Sequence, residues 1–405
     1  MSAPQQFKYI TKKRRVREDR RFVTGKGRFA ADFKFPGMLH IAMVASPFAC
    51  AKINSIDSSP ALELPGVHYV LTGVELAANI NPLLSGLDLP DVKRLPLANG
   101  RARYAGEWVA AVVADTRHIA EDAAELVAID YEMLDFVIDP EEALQDTAPV
   151  VHPENGNNIF FDKTWTWGDV EGDFAKAEHT LALRAKWSRS STVPIETFAV
   201  TASWDEGREM LDVWASIQMP KYPEQIARAL QIPVTSVNVH FDVDVGGSYG
   251  LKRGIRQTVI VAYLTKKLQR PVRFIEDRLE NMAGGEMHGP DRVFDMEVAY
   301  DEQGIMESLK ITATDDCGCY PGRAPLQLGK PVSAIVGPYR IKSAQYHARS
   351  VSTNKTSQEA VRGFGQAPTN FAIETVVDRI ASTLNISREE VRRRNLIRSD
   401  EFPWQ

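Results

Sequence analysis

AVRGFGQAP, residues 360–368, separates a strand-like run at 344–353 (AQYHARSVST) from a helical pattern at 370–385. Such a junction places backbone N–H groups, the Arg362 guanidinium and one aromatic ring, Phe364, at the rim of a sheet. The glycines at 363 and 365 permit positive φ and a close approach of the backbone to a ligand. The same residues also fit a plain strand-to-helix turn whose phenylalanine joins the core, so other stretches have to decide between the two.

Upstream, residues 245–252 read VGGSYGLK, between a strand expected at 237–243 and an apolar helix expected at 254–268. That context suits anion binding at a helix N-terminus, where the first N–H groups have no partner within the helix. The spacing matches neither G-x-G-x-x-G nor G-x-x-x-x-G-K-[ST]. A structural glycine turn or an ordinary phosphate loop remains open on these residues alone. A third feature is Gln218, which closes the run VWASIQ at 213–218 and precedes Pro220. It can present its amide at a sheet rim, or it is a surface glutamine.

Composition narrows the class. The 405 residues are 44% hydrophobic and 25% charged, as expected for a globular chain of two or more domains. A net charge of −5 argues against a nucleic-acid footprint. The basic run KKRRVREDRR at 12–21 is broken by Glu18 and Asp19 and suits a solvated or subunit-docking arm. No apolar run approaches the length of a membrane span, and the basic N-terminus is followed by polar residues, not a signal h-region. A cytoplasmic location is therefore expected. The three cysteines are Cys50, Cys317 and Cys319. The C-x-C pair is too short for usual zinc or iron–sulfur spacings, and free thiols are expected.

The element pattern predicts an α+β fold in two parts. Residues 1–145 hold strands expected at 38–46, 67–71, 108–115 and 129–131, with a helix at 120–127. A linker-like stretch rich in Pro, Gly, Asn and His follows at 146–164. The second part, 146–405, opens with strands at 180–188, 199–204 and 210–216, then a helix at 222–230. Further strands are expected at 272–276, 295–300 and 308–315.

Taken in order, WASIQ, GGSYGLK and VRGFGQAP resemble the molybdenum hydroxylase family of xanthine dehydrogenase and aldehyde oxidase, in its molybdopterin-binding large subunit. EDRRFVTGKGRFAADF, MLHIAMVASPFA, LPGVHYVLTG and RYAGEWVAAVVAD resemble that family's hammerhead domain, and RPVRFIEDR and EEVRRRNLI match further blocks. The resemblance runs from about residue 17 to 398. It implies a hammerhead domain over 1–145 and the first half of a molybdenum-cofactor-binding domain over 146–405. It further implies an oxidoreductase subunit that hydroxylates an aldehyde, an N-heteroaromatic or a related C–H substrate with water-derived oxygen.

Residue by residue, the resemblance assigns cofactor contacts to Gln218, Gly247, Ser248, Tyr249, Gly250, Arg362 and Gly363. The Gln218 amide corresponds to one that approaches the molybdenum oxo group. Phe364, Tyr249 and Arg253 fall at substrate-binding positions. No protein side chain is expected to ligate the metal, which the pterin dithiolene holds. The implied cofactor is molybdopterin, in its cytosine dinucleotide form, with [2Fe-2S] clusters and FAD on partner subunits.

The departures also inform. Tyr249 and Ser248 add hydroxyls where the family usually has Phe and Gly. Arg253 replaces a glutamate of purine-oxidising members, which disfavours xanthine and suggests an anionic or carbonyl-bearing substrate. Gly363 stands where carbon monoxide dehydrogenases carry a copper-binding cysteine. The chain ends at Gln405, before the second cofactor-binding half and its catalytic glutamate. No catalytic base is therefore assigned here, and Glu196 and Glu374 are read as structural. A split large subunit is expected, as in bacterial nicotinate dehydrogenase, with partners supplying the second molybdopterin-binding chain, the iron–sulfur clusters and the flavin. The alternative is a non-catalytic scaffold or maturation protein that retains the fold without the metal.

Overall fold

A computed structural model describes residues 7–403, apart from 15, 88, 90, 91, 286 and 287. Arg15 of the basic run lies outside the described residues. Before residue 146 the strands are β1 (Leu39–Ala45), β2 (Ala51–Asp57), β3 (Val67–Thr72), β4 (Arg101–Ala102), β5 (Trp108–Ala114) and β6 (Ala128–Met133). After it come β7 (Ile159–Trp167), β8 (His179–Trp187), β9 (Ala199–Asp205), β10 (Met210–Ala215) and β11 (Val237–His240). The last four are β12 (Val272–Ile275), β13 (Arg292–Tyr300), β14 (Met306–Gly318) and β15 (Ser343–Ser352).

These strands form three sheets, ordered β11-β10-β9-β12-β1-β5-β3, β7-β15-β14-β13-β8 and β4-β2-β6. With the intervening helices this is an α+β fold. The seven-stranded sheet runs across the 145/146 division. β1 pairs in parallel with β12, with Leu39 opposite Val272, and Leu39 N–H donates to the Pro271 carbonyl at 2.8 Å. β5, WVAAVVA, is buried along its whole length, as expected of a central strand covered on both faces. Helix Ile255–Leu268 packs on β9 and β12 and buries Val259, Ile260, Val261, Ala262 and Leu264. Its near-continuous burial explains why its sequence shows no strong polar face. Each of the valine, isoleucine and leucine side chains contributes roughly 1.5–3 kcal/mol of transfer free energy.

The five-stranded sheet lies wholly after residue 146. Helix Gln366–Leu384 covers it, burying Ile373, Val376, Val377 and Ile380 toward β13 and β8. This helix begins at Gln366, not at the expected 370. Pro368 sits in the first turn, where the missing N–H would have had no helical partner anyway. The strand expected at 237–243 stops at His240, and Phe241 beyond it is largely exposed.

Residues 146–164 are not a loose linker. β7 starts at Ile159, and the polar residues ahead of it satisfy buried backbone groups. Asn158 accepts from Val151 N–H at 2.9 Å and donates to the carbonyls of Pro149 and Ala143 at 3.0 and 3.2 Å. The His152 ring lies 2.5 Å from the Cys319 carbonyl. β2, AKINSID, carries no apolar run because it lies in the small surface sheet, and so the sequence pattern passes over it.

Candidate functional site

Three segments meet at one end of the seven-stranded sheet. β10 delivers the chain to Gln218, whose backbone N–H donates to the Lys252 carbonyl at 3.0 Å. Residues 245–252 form the second segment. Gly246 N–H donates to Glu196 Oε2 at 2.7 Å, and Lys252 Nζ reaches the same oxygen at 2.6 Å. Burial lowers the Lys252 pKa, with the Glu196 carboxylate opposing. Behind this pair, complete burial pushes the Glu276 carboxyl up to about 8, so it is neutral at pH 7. Tyr249 is held at φ 56°, a strained conformation for a bulky residue, between Gly247 at 95° and Gly250 at 108° once Ser248 is passed over.

The third segment is 359–365. Its Arg362 N–H donates to the Tyr249 carbonyl at 2.7 Å, which ties the two glycine loops together directly. Gly250 is required for that approach: a Cβ on it would lie 2.3 Å from the Ala360 carbonyl oxygen. Gly365 is tighter still, with a Cβ position 1.8 Å from the Gln327 carbonyl oxygen.

Gln218, Ser248, Tyr249, Gly250, Arg362, Gly363 and Phe364 line one open cavity of about 520 Å³, with Ala360 and Val361 beside them. Among the described residues, the backbone N–H groups of Tyr249, Gly250 and Gly363 and the Gln218 side-chain amide have no acceptor. Phe364 is half-buried and Tyr249 is 47% exposed, so two rings border the opening. A group with several anionic oxygens and a flat ring system fits such donors and walls.

Two expected site residues are placed differently. Gly247 stands behind Tyr249, where a Cβ would lie 3.4 Å from the tyrosine ring and 3.5 Å from Pro194. Arg253 lies away from the cavity: its Nη1 donates to Glu359 Oε2 at 3.1 Å, and it lines a separate small cleft with Arg94 and Glu359. The charge expected to face a substrate is engaged by a buried carboxylate.

Glu196 supports the first glycine loop, and Glu374 is engaged by Arg392 and by the Tyr339 hydroxyl at 2.6 Å. Sequence reasoning missed Lys330, whose ammonium lies 5.0 Å from the Phe364 ring centroid, and Gln327, which brackets residues 359–361. No local pattern marks either residue, because their partners lie more than thirty positions away.

The family model for the molybdopterin cofactor-binding domain matches residues 151–396, and that for the aldehyde oxidase and xanthine dehydrogenase a/b hammerhead domain matches 24–135. The chain belongs to this molybdopterin-binding family. It is similar to the 6-hydroxypseudooxynicotine dehydrogenase complex subunit gamma of Paenarthrobacter nicotinovorans, at 35% identity over 96% of this chain and 50% of that protein. The nicotinate dehydrogenase large molybdopterin subunit of Eubacterium barkeri is 27% identical over 91% of this chain and 85% of its own length. Among solved structures, quinoline 2-oxidoreductase from Pseudomonas putida 86 superposes with a TM-score of 0.90, at 34% identity over 96% of this chain and 50% of that one. The chain thus spans about half the length of several relatives it matches.

Proposed function

We propose that this chain is the first part of the large subunit of a cytoplasmic molybdenum hydroxylase, acting on a flat aldehyde or N-heteroaromatic substrate. The observation that carries the reading is the convergence of Gln218, Tyr249–Gly250 and Arg362–Phe364 on one cavity whose lining includes unpartnered amide donors. The Gln218 amide and the N–H groups of Tyr249, Gly250 and Gly363 would hold the oxygen-rich face of a molybdopterin cofactor, in its cytosine dinucleotide form. Ser248 and Arg362 would complete this wall. When bound, the cofactor supplies two-electron oxidation with oxygen taken from water. Phe364 and Tyr249 orient the substrate ring and exclude water from it. Fixed amide donors stabilise negative charge without reorganising during the reaction.

The other half of the cage, with the catalytic glutamate, would come from a second molybdopterin-binding polypeptide, and iron–sulfur and flavin subunits would carry the electrons away. Arg278 Nη2 donates to the carbonyls of Pro194 and Ile195 at 2.7 and 2.8 Å. Leu279 and Ile195, next in sequence to these contacts, are 78% and 96% exposed apolar side chains that a partner chain would cover.

The test is metal analysis with and without a co-expressed second chain. The expected result is almost no molybdenum in the isolated chain and a stoichiometric amount in the complex. A complex that holds iron but no molybdenum would point to a scaffold. In the loaded complex, Gln218→Ala lowers turnover per bound molybdenum by about 10²–10³, as for loss of one preorganised donor. Gln218→Glu is worse, because it sets a negative charge among oxygens. Near-wild-type rates for both variants would remove Gln218 from the site.

A further inference from the structure

Arg253 directly follows the Tyr249–Lys252 turn, and Glu359 directly precedes residues 360–364. Glu359 is 3% exposed, and each of its carboxylate oxygens meets a different arginine. Oε2 accepts from Arg253 Nη1 at 3.1 Å, and Oε1 accepts from Arg94 Nη1 at 3.3 Å. Burial alone would raise the Glu359 pKa, but the Arg253 and Arg94 charges outweigh it and hold the carboxyl below its usual range. The backbone of Glu359 is anchored as well: its N–H donates to the His288 carbonyl at 2.9 Å, and its carbonyl accepts from Gln327 Nε2 at 2.9 Å.

One carboxylate therefore joins three stretches of chain: the segment ahead of β4 that carries Arg94, the first glycine loop and the second. Arg323 lies close enough that burial, and then the Arg253 charge, lower its pKa. Without the Glu359 charge, Arg253 would lose its carboxylate partner while still facing the Arg94 and Arg323 guanidiniums, and a charge left uncompensated in such a place drives rearrangement. Arg253 is the least buried of the Arg94–Glu359–Arg253 set, with its side chain 15% exposed. It is therefore the group that would swing outward, and its backbone is three residues from Gly250.

We infer that Glu359 is a positioning residue: by clamping Arg253 against Arg94 it sets the separation of the Tyr249 and Arg362 loops. Arg253 then acts as a strut between the loops and not as a ligand for substrate. The inference builds on the reading of the 520 Å³ cavity as the working site, but its test needs no cofactor. The inter-loop hydrogen bond from Arg362 N–H to the Tyr249 carbonyl is the reporter.

The experiment is amide hydrogen exchange followed by mass spectrometry on the protein in its purified assembly, for wild type, Glu359→Gln, Arg253→Met, the double variant and Arg253→Lys. Exchange in peptides covering 246–252 and 359–365 is expected to accelerate at least tenfold in Glu359→Gln and Arg253→Met. Peptides from β13 and β14 should keep their wild-type rates. The double variant should exchange no faster than the faster single, because both act through one contact, and Arg253→Lys should restore part of the protection. Unchanged loop exchange in Arg253→Met, which removes the charge but keeps a long side chain, would overturn the inference. So would equal acceleration in every peptide, or additive effects in the double variant. Should Glu359→Gln fail to accumulate, the Arg253 variants decide. Loss of molybdenum with unaltered loop exchange would overturn the clamp while leaving the reading of the cavity as the cofactor site in place.

Discussion

Residues 245–250 and 360–365 each hold an aromatic residue at positive φ, Tyr249 at 56° and Phe364 at 43°, next to glycines in the same region. Such a conformation costs a bulky residue about 1–3 kcal/mol and persists only where the surroundings impose it. The supports differ. The first loop hangs on Glu196 and Lys252, with the neutral carboxyl of Glu276 behind them. The second rests on Gln327 and on Glu359, which two arginines keep ionised. The first loop also leaves its ring 47% exposed, whereas Phe364 is half-buried beside Lys330. One backbone device is thus given different supports, and the two loops should respond differently to substitution and to pH.

The largest effect is expected from adding a methyl group to either loop. Gly365→Ala drives a Cβ to 1.8 Å from the Gln327 carbonyl oxygen at the start of helix Gln366–Leu384. It should destabilise the protein by roughly 3–5 kcal/mol, read as a shift in denaturant midpoint. Gly250→Ala meets the Ala360 carbonyl at 2.3 Å, between two loops that can part. It should cost about half as much stability while opening the cavity, seen as faster exchange at Arg362 N–H. Equal losses in the two variants would mean that the loops share one support.

A smaller difference separates the rings. Phe364→Ala should lose roughly 1–3 kcal/mol of transition-state binding in kcat/KM with little change in molybdenum content. Tyr249→Phe retains the ring and should stay within about 1 kcal/mol of wild type. A larger effect from the tyrosine would put its hydroxyl, not its face, in the chemistry.

A further difference is the pH dependence of stability. Glu276 keeps its proton in the folded state up to about pH 8, whereas its ordinary value is 4.5. Its contribution to stability is fully present below about pH 4.5 and is lost as pH rises through 8. Glu276→Gln should flatten this decline in thermal unfolding measured from pH 5 to 9. Glu359 has the opposite sign: its contribution is lost only in acid, below the normal glutamate range. An unchanged slope in Glu276→Gln would show that the carboxyl is ionised in the folded protein.

The parts of this architecture legible in the sequence are those that only one residue type can supply. Gly250 and Gly365 mark places where two backbones touch, and no other residue fits there. The apolar runs of β5 and helix Ile255–Leu268 were readable because burial on nearly all sides leaves little room for polar residues. What escaped depends on distant partners. Arg253 reads as a free cation until Glu359, 106 positions away, is set against it. The stretch before β7 reads as loose because its asparagine and histidine look solvated, although both side chains satisfy buried backbone groups. β2 has the composition of a surface strand, and only pairing with β6 reveals it.

The pairing of Leu39 with Val272 also sets a timetable for synthesis. At translation speeds of about 5–20 residues per second, β1 emerges roughly 10–50 s before β12 exists to join it. During that interval β1, β5 and β3 can close into an antiparallel ribbon, but one edge of β1 stays bare, the kind of surface that recruits other chains. A nascent chain stopped anywhere before Val272 therefore exposes a sticky edge on the ribosome. Any truncation that separates residues 1–145 from the rest makes that exposure permanent.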